Sequence, residues 1–256
     1  MSDWWPGQAA VACSQVRRPD PLNAVLVGLA AVAGWLDALS FSSLGQVFTS
    51  FQSGNFIFLG LAVDEGDTEQ LVGAGVSLTA FLIGTAVGAY LVGRAEVERS
   101  ALRRLLPAFI AQWAGLLGFA VCWQALGTPA PDSVARAALV AVAAGAMGIQ
   151  GAAILALRIP GVVTNAMTAT LMLGGVLLGL RARGQRPAQE AAPVSAVFIV
   201  AMCASYALSA LAVGAINRPD LTSAVPAAVL GLCLLGLAVW STLRRPAPRR
   251  EIAGLR

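Results

Sequence analysis

Long apolar runs alternate with short polar connections along this chain, and a helix needs about 20 apolar residues to cross a bilayer. Eight such runs can be read, at 22–42, 47–63, 71–93, 106–126, 134–157, 162–180, 194–216 and 224–243. Six are uninterrupted. The runs at 47–63 and 162–180 are shorter, begin with polar residues and follow the preceding run with almost no loop. In the first, "VFTSFQSGNFIFLGLA" sets Thr49, Ser50, Gln52, Ser53 and Asn55 ahead of a row of aliphatics. Polar residues at the head of a greasy segment need a role, because an unsatisfied polar group in hydrocarbon costs several kcal/mol.

Composition narrows the class. Of 256 residues 57% are apolar and only 12% charged, outside the range of ordinary soluble domains, so the chain reads as an integral membrane protein with the lipid bilayer as its first partner. All seventeen basic residues are Arg; against thirteen acids they give a net charge of +4 and fall almost entirely between the apolar runs. No basic patch is interleaved with aromatics, so the charge speaks for membrane orientation and not for nucleic acid. There is no His, which excludes imidazole zinc sites and Ser-His or Cys-His catalysis. Cys13, Cys122, Cys203 and Cys233 are scattered singly and read as apolar filler. No metal, cofactor or enzymatic activity is expected. The first twenty residues hold no signal-peptide core, so the first hydrophobic helix should act as an uncleaved insertion signal, with Trp4 and Trp5 suited to anchoring at headgroups.

The arginines bear on whether the two short runs cross. If all eight runs cross, in a 4+4 plan, the connection holding Arg94, Arg99, Arg103 and Arg104 falls opposite both termini, against the positive-inside rule. If the short runs dip in and return, Arg17, Arg18, those four, Arg158, Arg181, Arg183, Arg186 and the five arginines from Arg244 onward share the inside. Only Arg136, Arg218 and the acidic loop "DEGDTEQ" then lie outside. The favoured reading is an all-α membrane protein of six crossing helices plus two re-entrant or half-helix segments, in a bacterial cytoplasmic membrane with both termini cytoplasmic. It divides into an N-terminal tail (1–21), a first membrane repeat (22–127), a second (128–243) and a C-terminal tail (244–256).

That pattern occurs twice, and the sequence carries traces of the repetition. At an offset of 115, Val47 aligns with Val162, Thr49 with Thr164, Ser53 with Thr168, Gly54 with Ala169, Asn55 with Thr170 and Gly60 with Gly175. "GTAVGAYLVG" from Gly84 similarly resembles "SYALSALAVG" from Ser205. Three spans per repeat is an odd number, so the two copies would be inverted, a common plan in transporters. The pairs Gly84/Gly88 and Ser205/Ser209 read as close helix packing.

Each short run follows a turn, "SSLGQ" or "RIPG", in which Gly45, Pro160 and Gly161 discourage a continuous helix. Hydroxyls then recur at i and i+4, Thr49 with Ser53 and Thr164 with Thr168, on one helical face at the N-terminal end. Free N–H groups and the helix dipole point the same way. Two such ends could hold an anion, a carboxylate or a small neutral solute, with Thr49, Gln52, Ser53, Asn55, Gln150, Thr164, Asn165, Thr168 and Thr170 as the binding set. The alternative is that these residues cap helices and bond between neighbours. Asp37, in "GWLDALSF", is the one carboxylate inside a crossing run and the candidate proton or cation coupling group; alternatively it is a structural acid bonded to backbone or to Gln150. Gln112 is a weaker candidate.

The stretches "AGWLDALSFSSLGQVFTSFQSGNFIFLGLAV" and "GAMGIQGAAILALRIPGVVTNAMTATL" resemble the two signatures of the YoaK-like family of bacterial membrane proteins, a domain of unknown function, and the resemblance spans roughly 22–243. In that family the first signature usually carries Thr-Gly-Asn where this chain has Ser53, Gly54 and Asn55. The second usually carries Gln-Asn and Thr-Gly-Thr where this chain has Gln150, Gly151 and Thr168, Ala169, Thr170. The resemblance implies a fold and supplies no substrate. The residues themselves point to a secondary transporter or permease for a small polar solute or ion. No GxxxxGK[ST] motif is present to use ATP. A non-transporting assembly protein, which small-residue helix faces also permit, is the alternative, and a homodimer is compatible with either.

Overall fold

The computed structural model describes residues 21–93, 101–131, 133–157, 164, 167–182, 196–216 and 218–243, all of them helical or in the connections between helices. The expectations placed on Asn165, Pro160, Gly161, Trp4, Trp5, Cys13 and most of the inside arginines lie outside these residues. The helices are α1 (Pro21–Ser43), α2 (Gln52–Glu65), α3 (Thr68–Val92), α4 (Ala101–Leu126), α5 (Val134–Leu155), α6 (Met167–Ala182), α7 (Ala196–Ile216), the short α8 (Pro219–Thr222) and α9 (Val225–Leu243). Among the described residues six helices are long and apolar enough to cross a membrane: α1, α3, α4, α5, α7 and α8 continued into α9. α2, with 14 residues, and α6, with 16, reach about 21 and 24 Å at ~1.5 Å per residue, short of a ~30 Å hydrocarbon core. The protein is a multi-pass membrane protein, and the side chains it exposes in bulk, such as Leu82, Ile83, Leu171, Val200, Leu211 and Leu235, are those that lipid would cover.

α1 and α5 form the centre. Buried residues make up 61% and 67% of their apolar windows, against 22% for α3 and 28% for α7. α1 packs on α7 and α9, and α5 on α3 and α4; α2 lies along α3, α6 along α7, and α4 meets α9. The two principal seams are backbone against backbone. A Cβ on Gly84 would stand 2.0 Å from the Gly145 carbonyl oxygen, and one on Gly148 would stand 2.2 Å from that of Phe81. In the other seam a Cβ on Gly34 would stand 2.3 Å from the Tyr206 carbonyl oxygen, while Ser205 Oγ donates to the Val27 carbonyl at 3.1 Å. The small residues at 84, 88, 205 and 209 therefore serve helix packing, as their spacing suggests.

The first short run starts as a helix at Gln52, five residues later than the apolar run begins. α1 ends in a turn where two consecutive residues take positive φ, Gly45 at 91° and Gln46 at 56°. The turn sits beside Glu69, the second residue of α3: a Cβ on Gly45 would be 3.4 Å from its Oε1, and Arg136 in the first turn of α5 forms an ion pair with the same carboxylate. From there the chain descends to Phe48, whose carbonyl accepts from Ser77 Oγ at 2.6 Å, about 14 Å down α3 from its start. α2 then climbs back, ends at Gly66 (φ 71°), and Asp67 caps α3 by accepting from the Gln70 N–H at 3.0 Å. Segment 44–67 thus leaves and rejoins the bundle at one end, the re-entrant course expected of it.

Candidate functional site

Unwound backbone at membrane depth must find partners inside the protein. In residues 47–51 the partners are side chains. Asn55 faces Phe48 as a peptide would, its Oδ1 accepting from the Phe48 N–H at 2.9 Å and its Nδ2 donating to the Phe48 carbonyl at 2.6 Å. Gln52 Nε2 donates to the Thr49 carbonyl at 2.9 Å, and Asn55 Nδ2 also donates to Gln52 Oε1 at 2.9 Å and to Ser77 Oγ at 3.0 Å. The remaining donors of the stretch are accepted by Asp37. Its Oδ1 accepts from the backbone N–H of Thr49 at 2.8 Å and of Ser50 at 2.7 Å; its Oδ2 accepts from Ser50 Oγ at 2.5 Å and from Tyr206 Oη, on α7, at 2.7 Å. Two of these contacts are backbone N–H groups, which can only donate to the carboxyl. The N–H groups leading into α2 expected to receive an outside anion are already taken by the chain's own Asp37 carboxyl. Its partners are backbone and hydroxyls, not Gln150.

Gly54 has a packing reason. A Cβ there would meet the Phe48 ring at 2.7 Å and Phe51 at 2.9 Å. Phe41 and Phe58 flank the same ring, at centroid distances of 5.2 and 5.8 Å.

The second polar centre lies around Gln150. Its Nε2 donates to Thr164 Oγ1 at 2.8 Å and to the Leu29 carbonyl of α1 at 3.2 Å, while its Oε1 accepts from Gln112 Nε2, on α4, at 2.6 Å. Gln112, Gln150 and Thr164 are all fully buried. Asp37 and Gln150 occupy the same place in their helices, each sixteen residues past the first, Pro21 or Val134, and each bonds a threonine that follows its helix, Thr49 or Thr164. Leu29 precedes Asp37 by eight residues, so the two centres stand about 12 Å apart along α1.

The structure therefore gathers Asp37, Thr49, Gln52 and Asn55 in one centre and Gln150 and Thr164 in the other, and it buries Thr170 as well. Ser53 and Thr168 are exposed. The i and i+4 hydroxyls do not share a helical face in the first run, because Thr49 lies in the unwound stretch before α2, where helical spacing does not apply. Ser50, Ser77, Tyr206 and Gln112 complete the two centres. Ser50 was visible beside Thr49, and Gln112 as a polar residue mid-run; Ser77 and Tyr206 sit in apolar helices with nothing local to mark them. At the end of the bundle near the first break, a cleft of about 450 Å³ is lined by Phe41, Ser42, Ser43, Gly45, Gln46 and Arg136.

Both centres fall inside residues 25–238, which match the profile of a family described as Protein of unknown function (DUF1275). The chain belongs to the DUF1275 family. It is 29% identical over 149 residues to the UPF0700 transmembrane protein YoaK of Bacillus subtilis (strain 168), an alignment covering 58% of this chain and 64% of that relative. The two signature stretches are thus those of a YoaK-like member of DUF1275, as their resemblance implied. No solved structure matches the chain.

Proposed function

We propose that this DUF1275 protein is a secondary transporter or permease for a small polar solute or ion, with its site between the two broken segments. The observation that carries the reading is the buried amide and hydroxyl chain of Gln112, Gln150 and Thr164, set where α1, α4, α5 and the second break meet. Polar side chains at membrane depth are costly and mark substrate or ion pathways. An inverted 3+3 repeat supports it. Under that repeat α1, α2, α3 and α4 correspond to α5, α6, α7 and α9, and three of the packed pairs exchange accordingly: α1 with α7 mirrors α5 with α3, α2 with α3 mirrors α6 with α7, and α1 with α9 mirrors α5 with α4, whereas α3 with α4 has no such counterpart among the described residues. Burial follows the 115 offset as well, Thr49 and Thr164 buried, Ser53 and Thr168 exposed, Asn55 and Thr170 buried. Asp37 is the coupling group in this reading. Its donors come from the first break and from α7, so a proton or cation arriving at the carboxylate would have to release some of them. The arginine distribution supports both termini lying on the cytoplasmic side of a bacterial cytoplasmic membrane.

The test needs no substrate. In a chain freed of native cysteines, Thr164→Cys should react with a membrane-impermeant methanethiosulfonate both from outside, in right-side-out vesicles, and from inside, in inverted ones, because alternating access opens a midplane site to each face in turn. A non-transporting assembly protein keeps that position shielded, and labelling from neither side would reject transport.

A further inference from the structure

The hydrogen bonds around Gln150 fix the direction of every amide in the chain, and they leave one atom over. Gln150 must direct its nitrogen at Leu29, because a carbonyl oxygen can only accept, so its own oxygen faces Gln112. Gln112 must then present its nitrogen, since the reversed amide would set two oxygens 2.6 Å apart. The oxygen of Gln112 is consequently turned elsewhere; it is fully buried and has no hydrogen-bond partner among the described residues. A buried amide oxygen without a donor is uncommon enough in folded proteins to need an explanation.

We infer that Gln112 Oε1 receives an O–H or N–H of the transported solute, so that the substrate is a neutral or cationic hydrogen-bond donor and not an anion. This rests on the transport reading and gives it a substrate class. Three observations converge on it. The unfilled valence is an acceptor, which an anion would leave unpaired and repel. Among the described residues, the groups bonded along this chain, Gln112, Gln150, Thr164 and the Leu29 carbonyl, bring no positive charge to neutralise an anion. The N–H groups of the other break, the other natural anion seat, are held by Asp37. A neutral solute and an ammonium-type cation share the donor chemistry, and matched probes separate them.

The experiment uses the full chain carrying Thr164→Cys, reconstituted in vesicles, with the rate of methanethiosulfonate labelling as the readout. Three probes of similar size are compared: acetamide, a neutral donor; methylammonium, a cationic donor; and acetate, which only accepts. We expect acetamide or methylammonium to slow labelling at least threefold while acetate leaves it unchanged, and Gln112→Leu in the same background to abolish the protection. Protection by acetamide alone selects the neutral class and by methylammonium alone the cationic class; either supports the inference. Protection by acetate, protection that survives Gln112→Leu, or labelling from both faces that no probe slows would each overturn it while leaving transport standing. Labelling from neither face removes the transport reading first and the inference with it.

Discussion

The two anchors, Asp37 and Gln150, hold equivalent places in α1 and α5 and bond the breaks that follow them, yet they do so with opposite surplus. Asp37 brings a carboxyl group and meets four close hydrogen-bond partners, so the first centre is saturated. Gln150 brings a neutral amide, and one step along its chain the Gln112 oxygen is without a partner among the described residues. A membrane protein can build one break to be closed by its own side chains and the other to leave a valence for a visitor. If the proposed transport holds, the second centre is the one left open to recognition.

Substitutions can break that contrast. The largest effect is expected for Asp37→Ala, which strands the N–H groups of Thr49 and Ser50 and the hydroxyls of Ser50 and Tyr206. A loss of about 3–5 kcal/mol, from several buried donors left unpaired at about 1–3 kcal/mol each before relaxation, should appear in the unfolding of the purified protein in detergent. Asp37→Asn, which keeps one acceptor, should remain folded and inserted yet lose any pH-dependent solute movement; unchanged pH dependence would dismiss the coupling role. Gln150→Leu should cost about 1–3 kcal/mol by the same unfolding measurement, because it leaves Thr164, Leu29 and Gln112 short of a partner. Gln112→Leu sharpens the comparison: it takes the Gln112 donor from the Gln150 oxygen but also removes an unpaired oxygen, so its net cost should be about 1 kcal/mol, below that of Gln150→Leu. A loss as large as that of Gln150→Leu would mean the oxygen is satisfied. Smallest of all, Ser53→Ala and Thr168→Ala should change stability by under about 0.5 kcal/mol, since both residues are exposed.

The sequence announces some of this and hides the rest, for physical reasons. Apolar runs must be continuous where lipid touches them, so six spans and two short segments are legible from hydropathy. Asp37 stands out because a carboxylate inside such a run is costly, and Gly45 marks its turn because it takes a φ of 91°. The unwinding of Val47–Phe51 is not legible, because Val and Phe suit a helix as well as an extended stretch; it follows from Asn55, Ser77 and Asp37 taking over the backbone bonds. Ser77 and Tyr206 reach the first centre from other helices, and no periodicity within their own segments records a neighbour. For the same reason the pairing of Thr49 with Ser53 by helical spacing failed: the spacing is real, but the helix begins after the first of them.

Asp37 and its last donor, Tyr206, are 169 residues apart in the chain, whereas Thr49 and Ser50 follow it by 12 and 13. At roughly 5–20 residues synthesised per second, the local donors emerge within about 1–3 s and the tyrosine only some 8–34 s later. The nascent protein must therefore carry its carboxylate through most of synthesis on the bonds of the first break alone. The tyrosine acts as a late fastener, joining the first-made part of the chain to one made near the end.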